Sequence, residues 1–332
     1  MATSVNNAFE EFLKNKVRLD SERNKIAKAS KDWLMDQIKS LALEKDFPDL
    51  HDTIPFLSYG SYSRKTKIRP LDDIDFMVVM HAKGGYYDYA NNNIVLVNQR
   101  NNQLFAGLCH DGTNYLNSIK IINRFKSALA GIHQYKNADM KRNQEALTLE
   151  LQTYEWVYDI VPCFHTVADW AGKTYFLIPD GKGHWKKTDP RIDKKRVEDI
   201  GTLQAVSVLD AIRLVKYWNG RPVMPSAPSY MLEVMVLNFF RAAKRSDYID
   251  YAVRDLFDYI ATAVWNPVND PKQIQGDLNI LSRDDKNKIS SRAAADYKSA
   301  LEASALELQG NMKQAITKWG EIFGPEFPTY NT

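Results

Sequence analysis

Gly60-Ser61-Tyr62-Ser63-Arg64-Lys65-Thr66-Lys67-Ile68-Arg69-Pro70-Leu71-Asp72-Asp73-Ile74-Asp75-Phe76-Met77-Val78-Val79-Met80 is the stretch on which the reading of this chain turns. It opens with a small-residue turn and closes in an apolar run that reads as a buried strand. Asp73 and Asp75 stand two apart at the start of that strand, so alternation puts both carboxylates on one face. Two carboxylates side by side repel unless a cation lies between them. Mg²⁺ is the expected cation, because it favours a few carboxylates together with phosphate oxygens. Upstream, Gly60-Ser61 offers backbone N–H groups and a hydroxyl to a phosphate, the more so where a helix begins. Asp-x-Asp by itself reads more readily as a solvated strand start, and the preceding Gly-Ser is what shifts the balance toward a metal–nucleoside triphosphate site.

Length and composition narrow the class. A chain of 332 residues can bury a large core as one bilobal unit or two domains, and 44% apolar with 26% charged residues is ordinary for a soluble globular protein. The net charge of +3 is too small to demand a nucleic-acid partner and leaves one open. Cys109 and Cys163 are far apart and form no metal-spacing motif, which argues against a disulfide framework and a zinc site. No signal-peptide pattern opens the chain and no apolar run is long enough for a membrane span, so a cytoplasmic protein without a membrane partner is expected.

Along the chain, residues 5–45 read as one long helix, with Phe9, Phe12, Leu13, Val17, Ile26, Trp33, Leu34, Ile38 and Leu41 near helical spacing. Residues 54–59 form the first strand. Arg64, Lys65, Lys67 and Arg69 either screen phosphate charge or line a solvated surface, and the pattern does not choose. Gly84-Gly85 and Asn91-Asn92-Asn93 mark turns. A helix follows over 115–135, then strands at 146–151 and 156–164. Asp159 stands alone in the second of these; a charge in an apolar strand is costly unless it is paired or ligates a metal. Glu150 and Glu155 compete for that role from less apolar surroundings. Lys182, Lys186 and Lys187, with His184 and Trp185, read as a solvated loop rather than a nucleic-acid patch. From Asp189 onward the chain is mainly helical, with helices over 203–219 and 228–240 and a long amphipathic pattern over 284–323. The tail from Glu326 is expected to be mobile.

The run Gly60-Ser61, Thr66, Ile68, Asp73-Ile74-Asp75 resembles the nucleotidyltransferase signature of the DNA polymerase β-like superfamily. Thr66 and Ile68 narrow the likeness to the oligoadenylate synthetase and cGAS/DncV-like branch, whose bacterial members are called CD-NTases. Ile212-Arg213-Leu214-Val215-Lys216-Tyr217-Trp218 and Ser229-Tyr230-x-Leu232-Glu233 extend it toward the C-terminus. The resemblance implies an α+β fold: a polymerase β-like lobe with a central mixed sheet (residues 1–188), a helical lobe (189–332), and a long N-terminal helix bracing the unit. It also implies two Mg²⁺ ions, replaceable by Mn²⁺, held by catalytic Asp73, Asp75 and Asp159. Gly60, Ser61, Lys216 and Ser229 would touch the triphosphate and Tyr230 would stack on a base.

The implied activity is nucleotidyl transfer that joins nucleoside triphosphates into a cyclic di- or trinucleotide messenger with release of pyrophosphate, in antiphage signalling. A regulatory protein partner is compatible with it. A linear 2′-5′ oligoadenylate synthase, or transfer to RNA or protein, is the enzymatic alternative, and product analysis separates them. A silent nucleotide-binding scaffold is the alternative of another class, and nucleotide binding without pyrophosphate release would mark it.

Overall fold

The structure is a computed structural model that describes residues 2–91, 94–100 and 102–331; Asn92 and Asn93 of the expected turn lie outside the described residues. The chain divides into two compact units, one of residues 21–63 and 71–191, the other of residues 1–20, 64–70 and 192–332. The first is built on a sheet and the second is helical.

Nine strands make up the sheet among the described residues: β1 (Phe56–Ser58), β2 (Asp73–Met80), β3 (Tyr86–Tyr89), β4 (Val95–Asn98), β5 (Asp139–Asn143), β6 (Ala146–Glu150), β7 (Val157–His165), β8 (Phe176–Pro179) and β9 (Trp185–Thr188). Their order is β1-β2-β7-β8-β9-β4-β3, with β5 paired to β6 and β6 to the first half of β7. β2 and β7 run parallel and the remaining pairs are antiparallel, which makes the sheet mixed. Central strands covered on both faces lose clean alternation and read as apolar runs. In β2, Ile74, Phe76 and Val78 bury one face while Met77 and Val79 bury the other. The same unit contains α2 (Ser21–Leu41), the single turn α3 (Gly60–Ser63) and α4 (Ser118–Ala130), which packs on β5, β6 and β7.

Trp185 overturns the solvated loop expected over 182–187. It is fully buried in β9, and the neighbouring Lys187 ammonium lies 5.5, 4.8 and 4.4 Å from the ring centres of Tyr87, Tyr89 and Tyr175. Those rings come from two segments separated from Lys187 in the chain, β3 and the approach to β8, so local pattern could not announce them.

The N-terminal helical run arrives in two pieces, α1 (Val5–Phe12) and α2, joined by a wider helical turn at Leu13–Val17. At Arg18 the backbone becomes extended, with ψ 145. Its guanidinium donates to Asp210 Oδ1 at 2.9 Å and Oδ2 at 2.8 Å. The apolar spacing continues through this point, which is why the sequence reads as one helix.

The helical unit contains α1, α6 (Val208–Asn219), α7 (Ser229–Ala242), α8 (Ile249–Ala263), α9 (Arg283–Leu308) and α10 (Met312–Phe323); α5 (Pro190–Thr202) begins at the junction. One apolar cluster joins its helices. Phe9 and Phe12 meet Phe323 and Phe327 edge-on or tilted, with centroids 5.1 to 5.8 Å apart. The tail expected to be mobile is therefore docked: Phe327 is buried, and Asn331 N–H donates to the Ala2 carbonyl at 3.2 Å.

Candidate active site

Register builds the site. Asp75 lies opposite Asp159 across the parallel β2–β7 pair, and Asp159 lies opposite Thr148 across β7–β6. On the other flank the Tyr59 N–H donates to the Asp75 carbonyl at 3.3 Å. Residues directly opposite on neighbouring strands share a face. One row across the sheet therefore reads Tyr59, Asp75, Asp159, Thr148, with Asp73 two residues before Asp75 on the same face. The expected third carboxylate thus stands beside the first two.

The rivals are exposed. Glu150 lies opposite Val157, the partner of Asp73, two residues along β6 from Thr148 and on the same face, and Glu155 meets Arg23 at the surface with a closest approach of 3.3 Å.

Gly60 closes the row from above. Its φ is +72°, and a Cβ built there would fall 1.9 Å from Asp75 Oδ2. Only glycine combines that left-handed backbone with so close an approach to a carboxylate. Gly60 and Ser61 open the single turn α3, which Ser63 anchors by donating its hydroxyl to the Ser58 carbonyl at 3.0 Å.

Charge in the row is crowded. Burial pushes the Asp159 carboxyl above the usual aspartate range; the Thr148 hydroxyl opposes this, while the Asp73 and Glu145 charges add to it. The Tyr59 phenol is pushed well up by burial and by the charges of Asp75, Glu145 and Asp159, so it stays protonated at neutral pH. Glu145 keeps one carboxylate oxygen buried without a hydrogen bond, with Lys186 3.6 Å away.

As the side chains stand, no three His, Cys, Asp or Glu groups among the described residues converge closely enough to hold a metal. The donor set nevertheless fits a hard divalent cation: oxygen ligands only, on adjacent strands, with like charge raising Asp159. The backbones of the three aspartates already lie side by side in the sheet.

Three further expected residues lie in the helical unit. Lys216 is buried, and its ammonium donates to the Thr66 carbonyl at 3.1 Å, Thr66 Oγ1 at 3.2 Å and Glu233 Oε2 at 3.0 Å. Arg64 Nε donates to Glu233 Oε1 at 2.6 Å, and the Thr66 hydroxyl donates to Oε2 at 2.8 Å. Burial alone would raise the Glu233 carboxyl, but Lys216, Arg64 and Thr66 outweigh it and bring it down to about 2.

Ser229 is the first residue of α7 and exposed; Pro228 holds the cap position. The Tyr230 hydroxyl donates to Asp193 Oδ1 at 2.6 Å, and Lys272 bridges Asp193 and Asp270 at 3.1 and 2.9 Å. The Arg64 guanidinium lies 5.5 Å from the Tyr230 ring centre.

Sequence reasoning did not single out Thr148, Tyr59 or Glu145 for the site, nor Glu233 as the partner of Lys216. A threonine among the apolar residues of β6 was a usable signal for the first. The rest depend on register or helix packing.

A mixed sheet with two carboxylates on one strand, a third on its parallel neighbour and a Gly-Ser turn against them defines a nucleotidyltransferase lobe of the polymerase β-like type. No protein-family model matches the chain. It is 42% identical over 332 residues, 99% of each chain, to a "Probable cyclic nucleotide synthase" of Bacillus cereus (strain VD146). Its fold is similar to that of CdnC of E. coli MS115-1, solved with ATP, at TM-score 0.69, 15% identity and coverage of 97% and 98% of the two chains. The same E. coli protein in a CdnC:HORMA-deltaN complex matches at TM-score 0.69 and 16% identity, with 97% and 98% coverage. The GTP-bound form of Vibrio cholerae DncV matches at TM-score 0.66 and 12% identity, with 98% and 97% coverage. The chain belongs to the cGAS/DncV-like nucleotidyltransferases, the family whose bacterial members are the CD-NTases.

Proposed function

We propose that this protein is a cyclic oligonucleotide synthase that joins nucleoside triphosphates into a cyclic di- or trinucleotide messenger in the cytoplasm, for antiphage signalling. The observation that carries the reading is the register of Asp75 with Asp159, with Asp73 on the same face and Gly60 pressed against Asp75. It is supported by full-length likeness to a relative named as a probable cyclic nucleotide synthase.

In this reading Asp73, Asp75 and Asp159 hold two divalent cations, Mg²⁺ or Mn²⁺. Bound there, the ions would supply Lewis-acid stabilisation of the attacking and leaving oxygens of an in-line displacement at the α-phosphorus. Asp159, the carboxylate raised by burial, takes the proton of the acceptor ribose hydroxyl as that oxygen attacks. Pyrophosphate leaves, and the Gly60 and Ser61 backbone and hydroxyl orient the phosphates. Lys216, Ser229 and Tyr230 are the helical unit's candidates for triphosphate and base. Lys216 must give up Glu233 or Thr66 to meet a phosphate. A regulatory protein partner belongs to the proposal, and nucleic acid is not required by it.

The test is product analysis. The purified protein is incubated with the four nucleoside triphosphates and Mg²⁺, treated with phosphatase and examined by mass spectrometry. A phosphatase-resistant cyclic species is expected. Linear oligomers alone would move the protein to the oligoadenylate type.

A further inference from the structure

We propose that Thr148 is a positioning residue for the metal-holding carboxylate Asp159, an assignment that rests on the nucleotidyl-transfer reading and adds a residue to it. Thr148 lies in a run of buried residues, Ala146-Leu147-Thr148-Leu149, and is itself 6% exposed. Packing at such a position asks for an apolar side chain, and a buried hydroxyl there must find an acceptor. It finds Asp159 Oδ1 at 2.6 Å, within the range of a charge-assisted O–H···O⁻ bond.

Both ends of that bond are constrained. Thr148 and Asp159 are directly opposite in register, and a β-branched side chain has little χ1 freedom in a strand. Holding one carboxylate oxygen fixes the plane of the group and hence the position of the other oxygen. This matters because Asp159 stands beside Asp75 and near the charges of Asp73 and Glu145, which would otherwise turn it away. Partners behind a metal ligand typically change metal affinity by about 10- to 100-fold when removed.

The experiment is a Mn²⁺ titration followed by electron paramagnetic resonance of the free ion. It uses the full chain, without nucleotide, as wild type, Thr148→Val and Thr148→Ser. Valine keeps the shape and the strand preference and deletes the hydroxyl, whereas serine keeps the hydroxyl. Thr148→Ala serves as a second hydroxyl-free variant should valine not fold. The expectation is that Thr148→Val weakens Mn²⁺ binding by about 10- to 100-fold while Thr148→Ser stays close to wild type. Mn²⁺ binding by the folded valine or alanine variant equal to wild type overturns the assignment, as does an equal loss in serine and valine. A wild type that binds no Mn²⁺ removable by Asp73→Ala with Asp75→Ala overturns the role given to Thr148, whereas the nucleotidyl-transfer reading is overturned by the absence of nucleotide products.

Discussion

Asp159 in the sheet unit and Glu233 in the helical unit are both carboxylates withdrawn from water, yet they are displaced in opposite directions. Burial and the neighbouring charges of Asp73 and Glu145 raise Asp159, with one hydroxyl from Thr148 against them. Glu233 is more deeply buried but receives Arg64, Lys216 and Thr66, and it falls to about 2. A buried carboxylate is costly unless charge and hydrogen bonds meet it. The helical unit meets that cost with its own side chains. The sheet unit places like charges together, and in the proposed reading a cation from solution completes it. The first arrangement is what holding a fold requires, and the second is what binding a metal–triphosphate requires.

Removing charge should therefore have opposite consequences in the two regions. The largest effect is expected for Asp73→Ala with Asp75→Ala. Pyrophosphate release should fall by at least about 10³-fold, because losing the cation removes several kcal/mol of transition-state stabilisation. The melting temperature should not fall, since the substitutions relieve like-charge crowding. Turnover retained in that double variant would sink the carboxylate assignment.

Glu233→Leu should act on the fold instead. Leaving Lys216 and Arg64 buried without their carboxylate is expected to cost about 3–5 kcal/mol in urea unfolding. Adding Lys216→Met and Arg64→Met should recover most of that loss, because an apolar replacement of a whole buried ion network is often neutral. If Glu233→Leu unfolds like wild type, the contrast between the regions fails.

Acid should expose the same network. Glu233 sits at about 2 in the fold against an ordinary 4.5, so its contribution is present above 4.5 and lost as the pH falls toward 2. The triple variant Arg64→Met, Lys216→Met, Glu233→Leu should show a shallower stability loss over that window than wild type. Equal slopes would mean that other carboxylates carry the acid sensitivity.

A stability loss smaller than that of Glu233→Leu, with a clear effect on rate, is expected at Gly60. Gly60→Ala must hold a left-handed φ, at a cost of about 1–2 kcal/mol, and must displace the Asp75 carboxylate. Its loss of activity should exceed what the fraction unfolded explains. An alanine variant with normal turnover would show that Asp75 tolerates displacement.

Legibility in the sequence follows the range of the interaction. Asp73 and Asp75 could be placed on one face because strand alternation is local. Asp159 could be proposed because a charge in an apolar strand stands out. The row that joins them could not be read, because register between β2 and β7 brings together residues about eighty positions apart. Thr66 and Ile68 were legible as signature positions but not in their role. Both lie in the 64–70 segment that leaves the sheet unit and joins the helical one, where Thr66 meets Lys216 and Glu233 and Ile68 packs on the apolar cluster.

By itself, then, the sequence determined the class of sheet strand that carries the carboxylates, the glycine turn before it and the helical character of the second half. These follow from periodicity, backbone freedom and local charge, which act within a few residues. Only the tertiary structure decided that Lys216 is engaged by Glu233, that the Tyr230 hydroxyl is held by Asp193, that the C-terminal tail is docked through Phe327, and that Thr148 stands behind Asp159. Each depends on which element packs against which, and a side chain's partner across a fold is set by that packing rather than by its neighbours in the chain.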